Sequence, residues 1–199
     1  QVDSCRLGGV NEVLSVILMA DRFGGKRLAI VHDGQGYSQS LARAAKTQLN
    51  TRDVNEAIYK AVKPGAKNYA ELVSMLKRNK IDVLYYGGYH REAGLIMRRL
   101  HAQGMSVLLI SGDDLATGKF WIITGAAGEG GLMTFPPDPA KFKPGRGVAA
   151  DMKKRGFKPE MHALRTYAAI QVWAQAAAKA DSFELKKMTK ALATNIYRT

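Results

Sequence analysis

Cysteine is almost missing from the 199 residues. Cys5 stands alone, so no internal disulfide and no multi-cysteine metal site can form within the chain. Long hydrophobic runs are missing as well: the longest near the start, residues 13–20, falls far short of the roughly 18 residues a membrane helix needs. The N-terminus shows no basic stretch followed by a small-residue cleavage site, so a signal peptide is expected to be absent or already removed. There is no internal repeat and no low-complexity segment. Acid is scarce: Asp plus Glu is 17 against 30 for Lys plus Arg, a formal charge of +13. Against these shortages, 46% hydrophobic and 24% charged residues are a globular balance, which argues against wholesale disorder.

The basic excess raises a nucleic-acid reading, and its distribution bears on it. Residues 1–137 carry 17 basic and 12 acidic side chains, a surplus of +5; residues 138–199 carry 13 and 5, a surplus of +8. A phosphate-binding face needs basic groups gathered together, with aromatic platforms where single strands are bound. Lys153, Lys154, Arg155 and Lys158 form one knot, with Phe157 as its lone aromatic. No zinc-finger spacing, RNP-like motif or long basic helix is present. A solvated basic surface that aids solubility is the simpler reading.

The first 25 residues form a poorly patterned segment. From residue 26 a regular alternation begins. Leu28-Ala29-Ile30-Val31 is a short apolar run of the kind buried on both faces of a parallel sheet. Residues 57–62, 81–86 and 105–110 read as further strands, and 121–124 and 131–135 as two more extended runs. Helices are expected over 38–49, over 69–79 behind an Asn68 cap, and over 92–103 closed by Gly104. Strand–helix alternation of this kind makes right-handed βαβ units. Residues 136–147 hold four of the six prolines and read as a Pro-rich crossover. Beyond it, 148–199 reads as a helical arm, with helices at 148–155, 163–180 and 183–191. The 163–180 helix carries Leu164, Tyr167, Ala168, Gln171, Val172, Gln175 and Ala176 at helical spacing. The expected fold is thus α/β: a three-layer sandwich with a mostly parallel sheet over 26–135, plus the helical C-terminal arm.

Open parallel sheets bind ligands at the carboxyl ends of their strands. Three loops fall there: residues 32–37, 87–90 and 111–114. Their polar and aromatic residues are Tyr37, Tyr89, His90, Asp113 and Asp114. Two tyrosines and a carboxylate facing one crevice suit a small ammonium group, through charge-assisted hydrogen bonds and cation–π attraction. Each of these residues also has a plainer reading, as core or rim packing for the tyrosines and as turn or helix cap for Asp113 and Asp114. Other chemistry finds no support. Gly34-x-Gly36 lacks the third glycine of a dinucleotide loop, and there is no Walker lysine pattern. The four histidines show no i, i+3 or i, i+4 pairing for zinc, no Gly-x-Ser-x-Gly elbow is present, and Cys5 has no evident activating base. No catalytic residue, metal or cofactor is expected.

At the candidate loops a resemblance emerges. Lys26-Arg27-Leu28-Ala29-Ile30-Val31-His32-Asp33, with Gln35-Gly36-Tyr37 and Leu41-Ala42-Arg43, resembles the periplasmic leucine/isoleucine/valine-binding protein family. So do Ile81-Asp82-Val83-Leu84-Tyr85-Tyr86-Gly87-Gly88-Tyr89-His90 and Thr166-Tyr167-Ala168-Ala169. Members are substrate-binding components of ABC transporters for branched-chain and related amino acids, with two α/β lobes that close on a ligand. The resemblance implies one lobe of a type I periplasmic binding protein, not an enzyme, in the periplasm, with an amino-acid ligand and an ABC permease as partners. It implies that Tyr37 and Tyr89 lie against the ligand. It places Asp113 where the family usually has a glutamate for the ligand's α-ammonium; Asp keeps the charge and is one methylene shorter. It also implies that this chain is the second half of such a protein, cut at both ends, with weak or no ligand binding of its own. The helical arm would then fold back on its lobe or pack against a second copy as a homodimer. The alternatives from the residues themselves are a basic α/β protein associated with nucleic acid, and a self-associating remnant without a transport role.

Overall fold

The computed structural model describes residues 25–160 and 162–198. Cys5, the apolar run at 13–20 and all but the last residue of the unpatterned N-terminal segment lie outside the described residues.

Five strands form one sheet: β1 Leu28–His32, β2 Ile58–Ala61, β3 Val83–Gly87, β4 Leu108–Ser111 and β5 Leu132–Met133. Their order is β2-β1-β3-β4-β5, and all four pairings are parallel. The connecting helices are α1 Gly36–Asn50, α2 Ala70–Arg78, α3 His90–Ala102 and α4 Gly118–Thr124. Alternate strand residues supply two separate cores, as the two-residue period of a strand requires. Ala29, Val31, Leu84, Tyr86 and Leu109 face Leu72 and Leu76 of α2, Ile96 and Leu100 of α3, and Phe120 of α4. Leu28, Ile30, Val83, Tyr85 and Ile110 face Ala42, Ala45 and Leu49 of α1. Every residue of β1 and β3 is buried, which is why these strands read as unbroken apolar runs.

Turn chemistry sets where the elements stop and start. Gly104 has φ +66° and closes α3 in the left-handed region that favours glycine. Asn68 serves the start of α2 by accepting from the Ala70 N–H at 2.9 Å. At the β3 exit, a Cβ on Gly87 would stand 2.6 Å from the Ser38 carbonyl oxygen, so only glycine lets α1 approach this closely.

Two expectations are corrected. Residues 121–124 are not extended: they are the last turn of α4. The Thr117 hydroxyl accepts from the Lys119 N–H, and Phe120 and Thr124, one helical turn apart, are the buried positions. Trp121 and Ile122 are exposed, a pattern that an interior strand would not show. The crossover at 136–147 is also shorter than expected. A 3-10 turn occupies Pro139–Lys141, and helix α5, Lys143–Lys154, begins within the segment, with Pro144 in its first turn where a missing N–H costs nothing.

The chain divides into two compact units, one ending at Pro136 and the other beginning at Pro137. The second contains α5, α6 Ala163–Ala180 and α7 Leu185–Thr194, and no strand among its described residues. Ala176 of α6 packs with Met188 and Ala191 of α7. Of the 18 residues of α6 only Leu164 and Ala176 are buried; along the expected stripe Ala168, Gln171, Val172 and Gln175 are half-buried and Tyr167 is exposed. No helix among the described residues is long and apolar enough to cross a membrane.

Candidate functional site

The three loops expected to carry the site all leave the carboxyl edge of the sheet. The β1 loop is shaped by its own polar groups. His32 Nδ1 accepts from the Gly34 N–H at 3.0 Å, and Asp33 accepts from the Gln35 N–H at 2.9 Å and from Gln35 Nε2 at 3.1 Å. These bonds satisfy two buried side chains and turn the chain into α1, whose second residue is Tyr37. The β3 loop is short: Gly88, Tyr89, then α3. The β4 loop passes through Gly112 into a 3-10 turn at Asp113–Leu115, anchored by Leu115, which is buried.

Three residues, one from each loop, converge. The Tyr37 hydroxyl donates to Asp113 Oδ1 at 3.0 Å, across 76 residues of sequence. The Tyr37 and Tyr89 rings lie 6.0 Å apart between centroids, tilted by 38°. Tyr37 is 41% exposed, so this cluster is open to a ligand and is not core packing. Asp114 takes another path. Its Oδ2 accepts from the His90 N–H at 2.9 Å and lies 3.1 Å from His90 Nδ1. Of the five residues singled out at these loops, Tyr37, Tyr89 and Asp113 therefore form one group, and His90 and Asp114 a second beside it.

Beneath the loops sits a buried polar layer that the sequence reading missed. Ser111 Oγ donates to the Tyr86 carbonyl at 2.7 Å, joining the exits of β3 and β4. Buried Glu92 accepts from the Gly65 N–H at 2.9 Å. The Tyr86 hydroxyl is pushed well above its ordinary range by burial first, then by Glu92, Asp33, Tyr69 and Asp114. Tyr69 is raised for the same leading reason, with Glu92 next. Both phenols therefore stay neutral. Neither hydroxyl has a hydrogen-bond partner among the described residues. His32 is lowered by burial, raised by Asp33 and lowered further by Arg43, so it favours the neutral form. The signal for this layer is faint in sequence: tyrosines within an apolar strand run read as core.

What the arrangement can do follows from its charges. Asp113 and the two rings offer a carboxylate and aromatic faces, the complement of a small cation. Among the described residues no group of three His, Cys, Asp or Glu side chains is arranged to hold a metal ion. A cleft of about 470 Å³ opens at the opposite edge of the sheet, lined by Lys26, Asp82, His101, Ser106 and Glu129 among others. Its groups are of mixed sign and no Tyr, Phe or Trp lines it, so it lacks the pairing of a carboxylate with aromatic faces found at the strand-exit cluster.

The chain as a whole is similar to known proteins. The profile of the family described as "Periplasmic binding protein" matches residues 11–198. The Leu/Ile/Val-binding protein homolog 1 of Brucella melitensis is 38% identical over 172 residues, 86% of this chain and 46% of that protein. The homolog 2 of Brucella abortus is 34% identical over 189 residues, 95% of this chain and 51% of that protein. Among solved structures, a leucine binding protein from Thermotoga maritima superposes with a TM-score of 0.79 at 24% identity, covering 93% of this chain and 54% of that one. A branched chain amino acid ABC transporter protein from Thermus thermophilus, solved with bound valine, gives 0.75 at 13% identity, covering 92% and 51%. The chain spans about half the length of the curated relatives it matches.

Proposed function

Because the chain belongs to the periplasmic binding protein family, we propose that it acts as one lobe of an amino-acid-binding component of an ABC importer, working in the periplasm beside a permease and performing no catalysis. In this reading Asp113 meets the ligand's ammonium group, and Tyr37 and Tyr89 meet its side chain. The observation that carries it is the convergence of these three residues from three separate strand exits, with Tyr37 donating to Asp113 at 3.0 Å. The relatives' names, which speak of leucine, isoleucine and valine, support an aliphatic amino acid as the ligand class.

A small-molecule pocket commonly buries about 70–90% of its ligand. One open cluster cannot do that, and the chain matches only about half of each relative. We therefore expect dissociation constants no tighter than about 1 mM for this chain alone, a binding free energy of about −4 kcal/mol. The test is titration with leucine, valine, alanine and 4-aminobutyrate, by calorimetry and by NMR of ¹³C-labelled tyrosines. Weak shifts of the Tyr37 and Tyr89 resonances that vanish in Asp113→Ala support the reading. Saturable micromolar binding would overturn the one-lobe part of it, and an unresponsive cluster at tens of millimolar ligand would overturn the site.

Self-association through the helical arm is a second proposal, favoured by the second unit's surface. Trp173 and Phe183 stack at 5.6 Å and are 50% and 76% exposed, with Ile170 and Leu185 exposed as well. Apolar surface of this extent on one small unit is a recurrent mark of a contact surface.

A further inference from the structure

Two adjacent aspartates stand in the β4 loop, and they do different things. Asp113 turns to Tyr37; Asp114 turns to the beginning of α3. The first N–H groups of a helix have no partner within it, and a side chain usually supplies one from the residue just before. Tyr89 occupies that place in α3, and its side chain makes no such bond. The missing acceptor arrives from 24 residues further along the chain, as Asp114 Oδ2 at 2.9 Å from the His90 N–H. The same oxygen lies 3.1 Å from His90 Nδ1. A carboxylate only accepts, so Nδ1 carries the proton in this contact.

From this we infer that Asp114 is the positioning residue of the ligand cluster: by capping α3 at His90 it fixes the β3 exit, which bears Tyr89, against the β4 exit, which bears Asp113. The inference rests on the proposed ligand role of those two residues. Its geometry is direct. Asp114 follows Asp113, and the bond it makes falls on the residue that follows Tyr89, so each end of the tie lies one residue from a member of the cluster. Ser111 Oγ on the Tyr86 carbonyl makes a second tie between the same two strand exits, one layer down. At the 3-10 turn the Ala116 N–H donates to the Asp113 carbonyl and the Thr117 N–H to the Leu115 carbonyl, while the Asp113 side chain accepts from the Tyr37 hydroxyl. With the Asp114 tie removed, that turn and the start of α3 lose their shared bond, and Asp113 and Tyr89 no longer keep a set separation. The plainer view, that Asp114 is an ordinary stabilising cap, makes a different forecast: lost stability with an unaltered cluster.

The experiment compares the 199-residue chain with its Asp114→Ala and Asp114→Asn forms. It follows His90 amide hydrogen exchange, the ring-to-ring NOE between Tyr37 and Tyr89, and the urea unfolding midpoint. Asn keeps an oxygen that accepts from an N–H; Ala keeps none. We expect Asp114→Ala to exchange the His90 amide about tenfold faster or more, the scale of a lost charge-assisted bond, and to lose the ring NOE while the amide spectrum of the sheet stays dispersed. Asp114→Asn restores the NOE and most of the protection. Should Asp114→Ala not fold, Asp114→Glu takes its place: its acceptor is one methylene too long, and the NOE is expected to weaken in a folded protein. A ring NOE and His90 protection unchanged in the Ala or Glu form would overturn the proposal, as would a lower unfolding midpoint with an intact NOE. A leucine titration of the same samples separates the two readings. Tyrosine resonances of the unsubstituted chain that do not respond to leucine would count against the ligand assignment, while the NOE comparison still decides whether Asp114 positions the loops.

Discussion

At the scale of single residues, the buried Tyr86 hydroxyl is an unsatisfied polar group beneath the strand exits. It is fully buried, has no hydrogen-bond partner among the described residues and stands among acidic groups. Removing an unpaired buried hydroxyl relieves a desolvation cost. Tyr86→Phe should therefore leave stability unchanged or raise it by up to about 1 kcal/mol in urea unfolding; a loss of that size would mean that a water serves the hydroxyl. His32 gives a dependence on pH. Its folded-state pKa lies below the unfolded one, chiefly through burial, so the unfolded chain takes up the proton first as pH falls. Its contribution to stability is flat above the unfolded value of about 6.5, declines as pH drops below it, and levels off under the folded value. His32→Asn, which can still accept from the Gly34 N–H, should flatten that decline in thermal melts below about pH 6.5; equal slopes would remove His32 as its source. Much of the cluster is legible in sequence, since Tyr37, Tyr89 and Asp113 stand out in strand-exit loops and in the resemblance. Their contacts are not legible. The Tyr37–Asp113 bond spans 76 residues and the Asp114–His90 bond 24, and no local period encodes either.

At the scale of elements, β1, β3 and β4 and helices α1 to α3 are readable because their apolar residues run unbroken or recur at helical spacing. Helix α4 is not. It has seven residues, too few for a helical period to show, and its run Trp121-Ile122-Ile123-Thr124 has strand composition. What decides it is the Thr117 cap together with Phe120 and Thr124, both buried one turn apart, with Phe120 in the core shared by the sheet and α3. In so short a helix, the cap should matter fully. Thr117→Ala is expected to cost about 1 kcal/mol, read from the urea midpoint, while Thr117→Ser should recover most of it. No difference between Ala and Ser would mean that the hydroxyl does not hold the helix start. The early start of α5 has a related cause: prolines suggest a linker, yet Pro144 is well suited to a first helical turn.

At the scale of the whole molecule, the division at Pro136 separates a sheet-bearing unit from a helical one. The apolar side chains left exposed on α6 and beyond it are the features that bear on association. If the Trp173–Phe183 surface joins two copies, sedimentation should show a concentration-dependent dimer for the 199-residue chain and a shift to monomer in Trp173→Glu. A monomer at every concentration would remove that role. The strand order β2-β1-β3-β4-β5 bears on a different matter, the emergence of the chain from the ribosome. After β1 and β2 are paired, β3 joins the free edge of β1, β4 that of β3 and β5 that of β4, so no nascent strand must be inserted between two already placed. At synthesis rates of about 5–20 residues per second, far slower than the pairing of a single strand, the sheet can grow in step with translation. Stalled nascent chains should then gain protease resistance in stages, as β3, β4 and β5 each clear the exit tunnel. A single all-at-once gain, only after all five strands have cleared the tunnel, would show that the sheet does not grow strand by strand.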